Sequence, residues 1–450
     1  MRIKQISVSG LFGIFNHVIP LNMSDRITII HAPNGFGKTI ILKMLNGLFN
    51  SKHSIFWTIP FNNFRVDFND NSSLAIKKES EDSNGVNKKD KITFTFQQSQ
   101  SKPIIFTPIK VKDNIRPDIN FPMNIFDDII PGLDRVALQR WLYTPTDEIL
   151  SLEEVIERFE DVLPSKFRLL GSEPEWLTEV RNSIHVRIIE SQRLFNTSSQ
   201  RHPRYFESPL PMSATVSEYS SEIAGIIKAK LTEYGTTSQA LDRTFPARLV
   251  EQKTAPDLVD DQLRLQLDEL EKKRSRLIEV GLLDKDKSSD FQIQPQTIDE
   301  STKNILSVYI EDVKKKLSVF DEIASKIDLL REIINKKFEY SCKEINFSKE
   351  KGFIFTTKHD KKILSPTDLS SGEQHELVLL YELLFKVEPN SLVLIDEPEI
   401  SLHLGWQVQF LKDLQEITKL ANIDILMTTH SPDIIQDRWD LTVELKGVSS

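Results

Sequence analysis

Apolar and polar positions change rhythm several times along the chain, and each change marks an element. Ile3, Ile6 and Val8 open an alternating run, Val18-Ile19-Pro20-Leu21 forms a second, and Gly10 and Gly13 mark the turn between them. That spacing predicts paired strands. The unbroken run Ile27-Thr28-Ile29-Ile30, bounded by Ser24-Asp25-Arg26, predicts a strand, and Ile40 to Leu45 suit a helix. Period two returns in Phe64-Arg65-Val66-Asp67-Phe68 and Ile92-Thr93-Phe94-Thr95-Phe96, with a polar turn expected over Lys78 to Gly85. The first hundred residues therefore read as an antiparallel sheet beside the loop that follows Ile30. From about 134 to 185 the pattern is helical, with Ser151-Leu152-Glu153-Glu154 as a capping box. A buried strand is expected over Ile184 to Ile189, and a Ser- and Pro-rich loop over 196 to 215.

Heptad spacing begins at Asp261. Leu263, Leu267, Leu270 and Leu277 keep it, with Arg274 breaking the seam. Leu306, Ile310, Val313, Leu317, Phe320, Ala324, Ile327 and Ile334 keep it again, with Arg331 at the remaining position. The stretch from Asp284 to Asp290 has no apolar period. Two such helices joined by a polar segment predict a short antiparallel coiled-coil hairpin, about 35–45 Å long at roughly 1.5 Å per residue. The plainer alternative is two amphipathic helices docked on a globular body. Strands are expected over Cys342 to Phe347 and Lys351 to Thr357, then an apolar helix from Leu377 to Leu384 and two further apolar strands.

Composition changes this picture little. The chain has 450 residues, of which 39% are hydrophobic and 27% charged, ordinary values for a globular protein with a sizeable core. Length predicts two or three domains, or one domain with insertions. A net charge of −9 means that DNA contact would need a local basic patch. Cys342 is the single cysteine, so no disulfide within the chain and no Cys-x-x-Cys metal knuckle can form. The N-terminus reads as a strand rather than a signal peptide, and no apolar run approaches the roughly 20 residues of a membrane span. A cytoplasmic protein is expected.

The chemistry sits at two ends of the chain. Ala32-Pro33-Asn34-Gly35-Phe36-Gly37-Lys38-Thr39 lies between strand and helix, the context of a phosphate-binding loop. Gly35 and Gly37 leave room for backbone N–H groups to curl round a phosphate, and the helix dipole points at the same anion. Lys38 would reach the β- and γ-phosphates of ATP, and the Thr39 hydroxyl would ligate Mg²⁺. Ala32 stands where the strict pattern has Gly. Near the other end, Leu369-Ser370-Ser371-Gly372-Glu373-Gln374 precedes a helix and is a second anion site by its hydroxyl and bare N–H groups. Ser391 to Ile395 form an apolar strand ending in Asp396 and Glu397, placed to hold Mg²⁺ through water and to polarise the attacking water. Ile423 to Thr429 lead to His430, a candidate contact for the γ-phosphate.

The order of these segments resembles the ABC-type ATPase series. That likeness implies a mixed α/β head, split by a helical insertion. The predicted divisions are 1–255 for the part with the phosphate loop, 256–338 for the coiled coil and 339–450 for the remainder. In such heads Ser370 and Gly372 complete the nucleotide site of a second copy. Ser371-Gly372-Glu373-Gln374 and Ile395-Asp396-Glu397-Pro398-Glu399-Ile400-Ser401-Leu402-His403 resemble the ATPases related to OLD nucleases, RecF and SMC proteins. Ser238 to Pro246 and Glu190-Ser191-Gln192-Arg193 point the same way. By this similarity Gln192 is the candidate Mg²⁺-sensing glutamine, although Gln97 and Gln98 also follow a strand.

The short arm, the missing zinc hook and the lack of a Toprim nuclease domain narrow the resemblance to stand-alone defence ATPases, of the AriA type in PARIS or PtuA in Septu. This implies an oligomer of ATPase heads that holds a separately encoded nuclease or toxin effector, released when a phage trigger protein or DNA feature is sensed. The alternatives are a RecF-like or SMC-like repair ATPase that clamps DNA, and a nucleotide-gated scaffold with negligible turnover.

Overall fold

Unbroken apolar runs form the centre of the computed structural model. It describes residues 1–81, 89–98, 101–108, 125–137, 140–144, 148–151, 155, 159, 174–190, 212–251, 260–284, 299–400 and 402–447. Two units are compact: Met1–Leu210 with Val387–Ser450, and Pro211–Lys386. The architecture is mixed α/β, with sheets flanked by helices.

In the first unit, five parallel strands lie in the order Val186–Glu190, Leu392–Asp396, Asp424–Thr428, Ile27–His31 and Thr442–Glu444. Leu392, Val393, Leu394 and Ile395 are all buried, because a parallel sheet is covered on both faces. A six-stranded antiparallel sheet runs in the order Phe15–Pro20, Ile3–Leu11, Asn63–Phe68, Ser73–Glu81, Lys89–Gln97 and Ile104–Phe106. Ile6 and Val8 on one strand and Phe64 and Val66 on the next turn inward and share one core with Ile41, Leu45 and Leu394. The helix Lys38–Phe49 thus has its apolar face set among residues of both sheets. Arg2 adds a polar clasp, donating to Asp424 Oδ2 at 2.8 Å and Oδ1 at 2.5 Å.

Two local expectations change. Lys78 to Glu81 continue the strand Ser73–Glu81 instead of turning, since Lys78 pairs with Ile92 and Glu81 with Lys89 across the ladder. The residues after Glu81 in the expected turn lie outside the described residues. Around 134 the helical pattern gives way to three antiparallel strands, Leu133–Ala137, Arg140–Tyr143 and Glu148–Ser151. Short apolar runs do not fix their own period. Here Trp141, fully buried against Phe126, decides the outcome by tertiary packing. Ser151 ends a strand, and the rest of its expected capping box lies outside the described residues. The helix Glu175–Asn182 and the strand Val186–Glu190 follow as expected.

The second unit is built on helices Met212–Glu251, Asp260–Glu279, Glu300–Ser318 and Asp321–Phe338. Most heptad positions are its core: Leu263, Leu270, Leu277 and every apolar seam residue from Leu306 to Ile334 named above are buried, whereas Leu267 and Arg331 are half-buried. The direction of packing differs from the expectation. Lys303 pairs with Asp260, Lys273 with Asp321, Arg276 with Asp328 and Arg331 with Glu279, so Asp260–Glu279 runs parallel to the two helices that follow it. The antiparallel partner of Glu300–Ser318 is instead Met212–Glu251: Tyr234 packs on Phe320, Asp242 accepts from Lys316, and Arg248 pairs with Asp312. An apolar seam states that two helices pack but carries no direction; the cross-helix charge pairs supply it. The first turn of Met212–Glu251 occupies residues 212–215, at the end of the segment expected to be a loop.

The strands Lys343–Ser348, Gly352–Thr357 and Ile363–Leu364 form a small antiparallel sheet at the foot of these helices. Gly352 has φ 73°, and a Cβ there would lie 1.7 Å from the Ser220 carbonyl oxygen. Backbone against backbone cannot yield as a side chain does. We expect Gly352→Ala to destabilise the helical unit by about 2–4 kcal/mol, read as a lowered thermal unfolding midpoint. An unchanged midpoint would mean that the long helix does not sit this close. Among the described residues no helix is long and apolar enough to cross a membrane.

Candidate functional site

The central sheet brings distant parts of the chain to one edge. Ile27–His31 leads into the glycine loop, its neighbour Asp424–Thr428 leads to His430, and the next strand ends at Asp396. Asp396 stands opposite Thr428, and Thr428 opposite Ile30. Ligand-binding groups collect at the carboxyl ends of parallel strands, because the loops and helix N-termini there open to solvent.

Gly35 and Gly37 both have φ 87°, the left-handed conformation the loop needs to curl. Gly37 has a second reason: a Cβ would lie 2.5 Å from Leu11 Cδ2. The strand turn that follows Leu11 thus presses on the loop. His17 Nε2 lies 3.1 Å from the Phe36 carbonyl oxygen, and the rings of Phe15 and Phe36 pack at 5.2 Å. Asn34 is exposed at the loop's outer turn.

Lys38 is 5% exposed, and its Nζ donates to the carbonyl oxygens of Ala32 at 2.9 Å and Pro33 at 3.4 Å. The same Nζ lies 2.5 Å from His430 Nε2, which in turn lies 3.4 Å from Glu397 Oε1. Burial lowers the Lys38 pKa from its ordinary value, against the pull of Glu397, Asp396 and Glu399. An incoming polyphosphate would bring negative charge that favours the ammonium.

Asp396 is held from two sides. Thr39 Oγ1 donates to its Oδ1 at 3.1 Å and Thr428 Oγ1 at 2.6 Å. Thr39 and Asp396 present a hydroxyl and a carboxylate, hard oxygen donors of the kind Mg²⁺ takes. Glu397 has φ 46°, uncommon for a residue with a side chain. Such strain costs about 1–3 kcal/mol and concentrates at functional sites. Its N–H donates to the Thr428 carbonyl oxygen at 3.1 Å, which turns the chain out of the strand.

Ser370 and Gly372 open the helix Ser371–Tyr381 in the second unit. Ser370 caps it reciprocally: its Oγ accepts from the Glu373 N–H at 3.3 Å, and its N–H donates to Glu373 Oε2 at 2.6 Å. Glu373 is buried and also accepts from Ser341 Oγ at 2.6 Å and Lys343 Nζ at 2.9 Å. Burial would raise its pKa; these hydrogen bonds outweigh it and hold the carboxyl below its usual value. Ser370 itself stays exposed.

The structure thus gathers Lys38, Thr39, Asp396, Glu397 and His430. Gln192 lies outside the described residues, although Glu190, where the strand leading toward it ends, stands opposite Asp396. Gln97 belongs to the antiparallel sheet and donates to the Gln98 and Ser101 carbonyl oxygens. Two residues were missed by sequence reasoning. Thr428 gave no signal beyond its place in an apolar strand. Glu399 was visible only as an acid two positions after Glu397, within the string Ile395 to His403.

Hard oxygen donors and a buried lysine at the mouth of a glycine loop suit a nucleoside triphosphate carried with Mg²⁺. The class of protein is accordingly one built on an AAA-type nucleotide-binding domain. The chain belongs to the family described as "AAA domain, putative AbiEii toxin, Type IV TA system", whose model matches residues 33–436. The chain is similar to the Smc head domain with an extended coiled coil from Pyrococcus furiosus, bound to the C-terminal domain of ScpA. Identity there is 12%, over 99% of this chain and 94% of that one, with a TM-score of 0.35. The SMC head domain from Thermotoga maritima matches at 10% identity, over 97% of this chain and 92% of that one, with a TM-score of 0.32. No curated protein matches the chain.

Proposed function

We propose that the protein hydrolyses ATP in a site completed by a second copy, and that the resulting dimer or larger oligomer holds a separately encoded effector in anti-phage defence. The observation that carries the hydrolytic part is the meeting of Lys38, Glu397 and His430 within 2.5–3.4 Å beside Asp396 and Thr39. Bound Mg²⁺, held by Thr39 and Asp396, supplies charge neutralisation at the phosphates. Asn34, Gly35 and Gly37 shape the loop for the phosphate oxygens, and Lys38 balances the β- and γ-phosphates. Glu397 orients a water and takes its proton as the water oxygen bonds to the γ-phosphorus. The bond from that phosphorus to the bridging oxygen breaks, and ADP and phosphate leave. His430 meets the charge that develops on the γ-phosphoryl oxygens.

Ser370 and Gly372 support the two-copy reading. Ser370 caps a helix start on the chain's second unit and is exposed, with Gly372 in the first turn of the same helix. The family's description as a toxin of a toxin–antitoxin system supports an ATPase that works with a second component. The effector is expected to be a nuclease, such as a Toprim protein, or a toxin, with a phage protein or DNA feature as trigger.

A mixing experiment tests the shared site. Lys38→Ala and Gly372→Arg chains should each be inactive alone. Mixed, half of the dimers carry one intact site, so about a quarter of the wild-type turnover returns. No recovery, with mixed dimers present by mass, would place both halves of the site on one chain. For the partner reading, deletion of the gene should abolish phage resistance, and a co-encoded effector should be recovered on the purified wild-type chain; a pull-down without such a partner, together with unchanged phage resistance on deletion, would remove it.

A further inference from the structure

We propose that Glu399 is a positioning residue that sets His430 against Glu397 and Lys38. The inference rests on the ATPase reading above and assigns a role to a side chain outside the loop, the metal pair and the water-activating carboxylate. Glu399 follows the left-handed Glu397 by two residues, in the short turn Pro398–Ile400. That turn is closed by the Ile400 N–H, which donates to the Glu397 carbonyl oxygen at 3.3 Å. Across the site, the His430 N–H donates to Glu399 Oε1 at 2.6 Å. One carboxylate therefore ties the turn that carries Glu397 to the residue whose ring stands 3.4 Å from Glu397. A hydrogen bond from a backbone N–H to an ionised oxygen is short and stiff, which suits a part that must not drift.

Two further contacts make the tie directional. Gln407 Nε2 donates to the carbonyl oxygens of Glu399 at 3.3 Å and Leu402 at 3.2 Å. Its Oε1 accepts from Ser431 Oγ at 2.7 Å. The His430-Ser431 segment is thus pinned to the turn at two adjacent residues, once through Glu399 and once through Gln407. The remaining oxygen of Glu399, Oε2, is buried with no hydrogen-bond partner among the described residues. Keeping a desolvated carboxylate oxygen unpaired costs stability. A residue chosen for stability alone would not be an acid here. What the side chain supplies is an acceptor for the His430 N–H.

The test compares three chains for ATP turnover and for ATP affinity by equilibrium titration. Glu399→Ala should lower kcat about tenfold and leave the ATP Kd within twofold, because His430 loses its anchor while the phosphate loop is untouched. Glu399→Gln keeps an acceptor oxygen for the N–H and should restore kcat to within about threefold of wild type. Should the alanine chain fail to fold, Glu399→Asp, whose carboxylate stops one methylene short of the His430 N–H, carries the same expectation. Wild-type turnover in the alanine or aspartate chain overturns the proposal. So does a loss confined to affinity, or a glutamine chain as slow as the alanine one, since charge rather than position would then be at work. A wild-type chain that binds ATP without turnover overturns the hydrolytic reading itself, a result distinct from these.

Discussion

Replacing Glu397 by Gln is expected to cut ATP turnover by about 10³-fold while leaving nucleotide affinity within twofold of wild type, because removal of a positioned general base costs about 10²–10⁴ in rate. The side chain lies 3.4 Å from His430 and makes no part of the glycine loop. Its strained φ of 46° shows that the backbone is bent to put it there. Affinity survives since Lys38 and Thr39 remain. With hydrolysis blocked, ATP should persist between two chains, and the mass in solution should rise from 51.8 kDa toward about twice that value, as for a two-fold dimer. Light scattering on the variant with and without ATP reads both consequences. Turnover near wild type would place the general base elsewhere. A persistent monomer at high protein concentration would remove the shared site and leave the hydrolytic reading standing.

The second large effect is on stability. Lys337, at the end of the helix Asp321–Phe338, pairs with Glu376 in the helix that Ser370 caps, and the two side chains are 2% and 0% exposed. Removing one member of a buried pair strands the other charge, at a cost of about 3–5 kcal/mol. Lys337→Ala should therefore lower the unfolding midpoint by about 10 °C, taking about 2–4 °C per kcal/mol for a unit of this size. Replacing both by Lys337→Met and Glu376→Leu should recover most of the loss, because the uncompensated charge is gone. The pair also fixes where the Ser370 helix start stands on the helical unit. Glu373, one turn earlier, is tied by Ser341 and Lys343 to the segment that leaves the same helix. If Lys337→Ala melts with the wild-type chain, the ion pair is not buried in solution.

Much of the site was legible because its parts are local strings. A glycine loop between strand and helix, two acids after an apolar strand and a histidine after another each carry their own signal, and the structure draws Lys38, Asp396, Glu397 and His430 together. The apolar seams were legible for the same reason, since burial of Leu263 or Ile310 follows from period alone. The strands at 133–151 were not, because Trp141 and Phe126 meet only in the folded chain. The helix Met212–Glu251 was not, because small and polar residues such as Gly225, Gly235, Thr236 and Thr237 dilute its apolar stripe.

The sequence by itself determined where the glycine loop, the paired acids and the strand-end histidine lie, since the residue types and their short spacings suffice for that. Only the tertiary structure decided what they face. Thr428 holds Asp396 and Glu399 holds His430 across strands about thirty positions apart in the chain. Helix direction was likewise settled by pairs such as Lys303 with Asp260 and Lys316 with Asp242. The physical reason is common to both. A local pattern fixes period and burial, whereas the partner of a charge or a hydrogen bond is chosen by whichever distant segment the fold sets beside it.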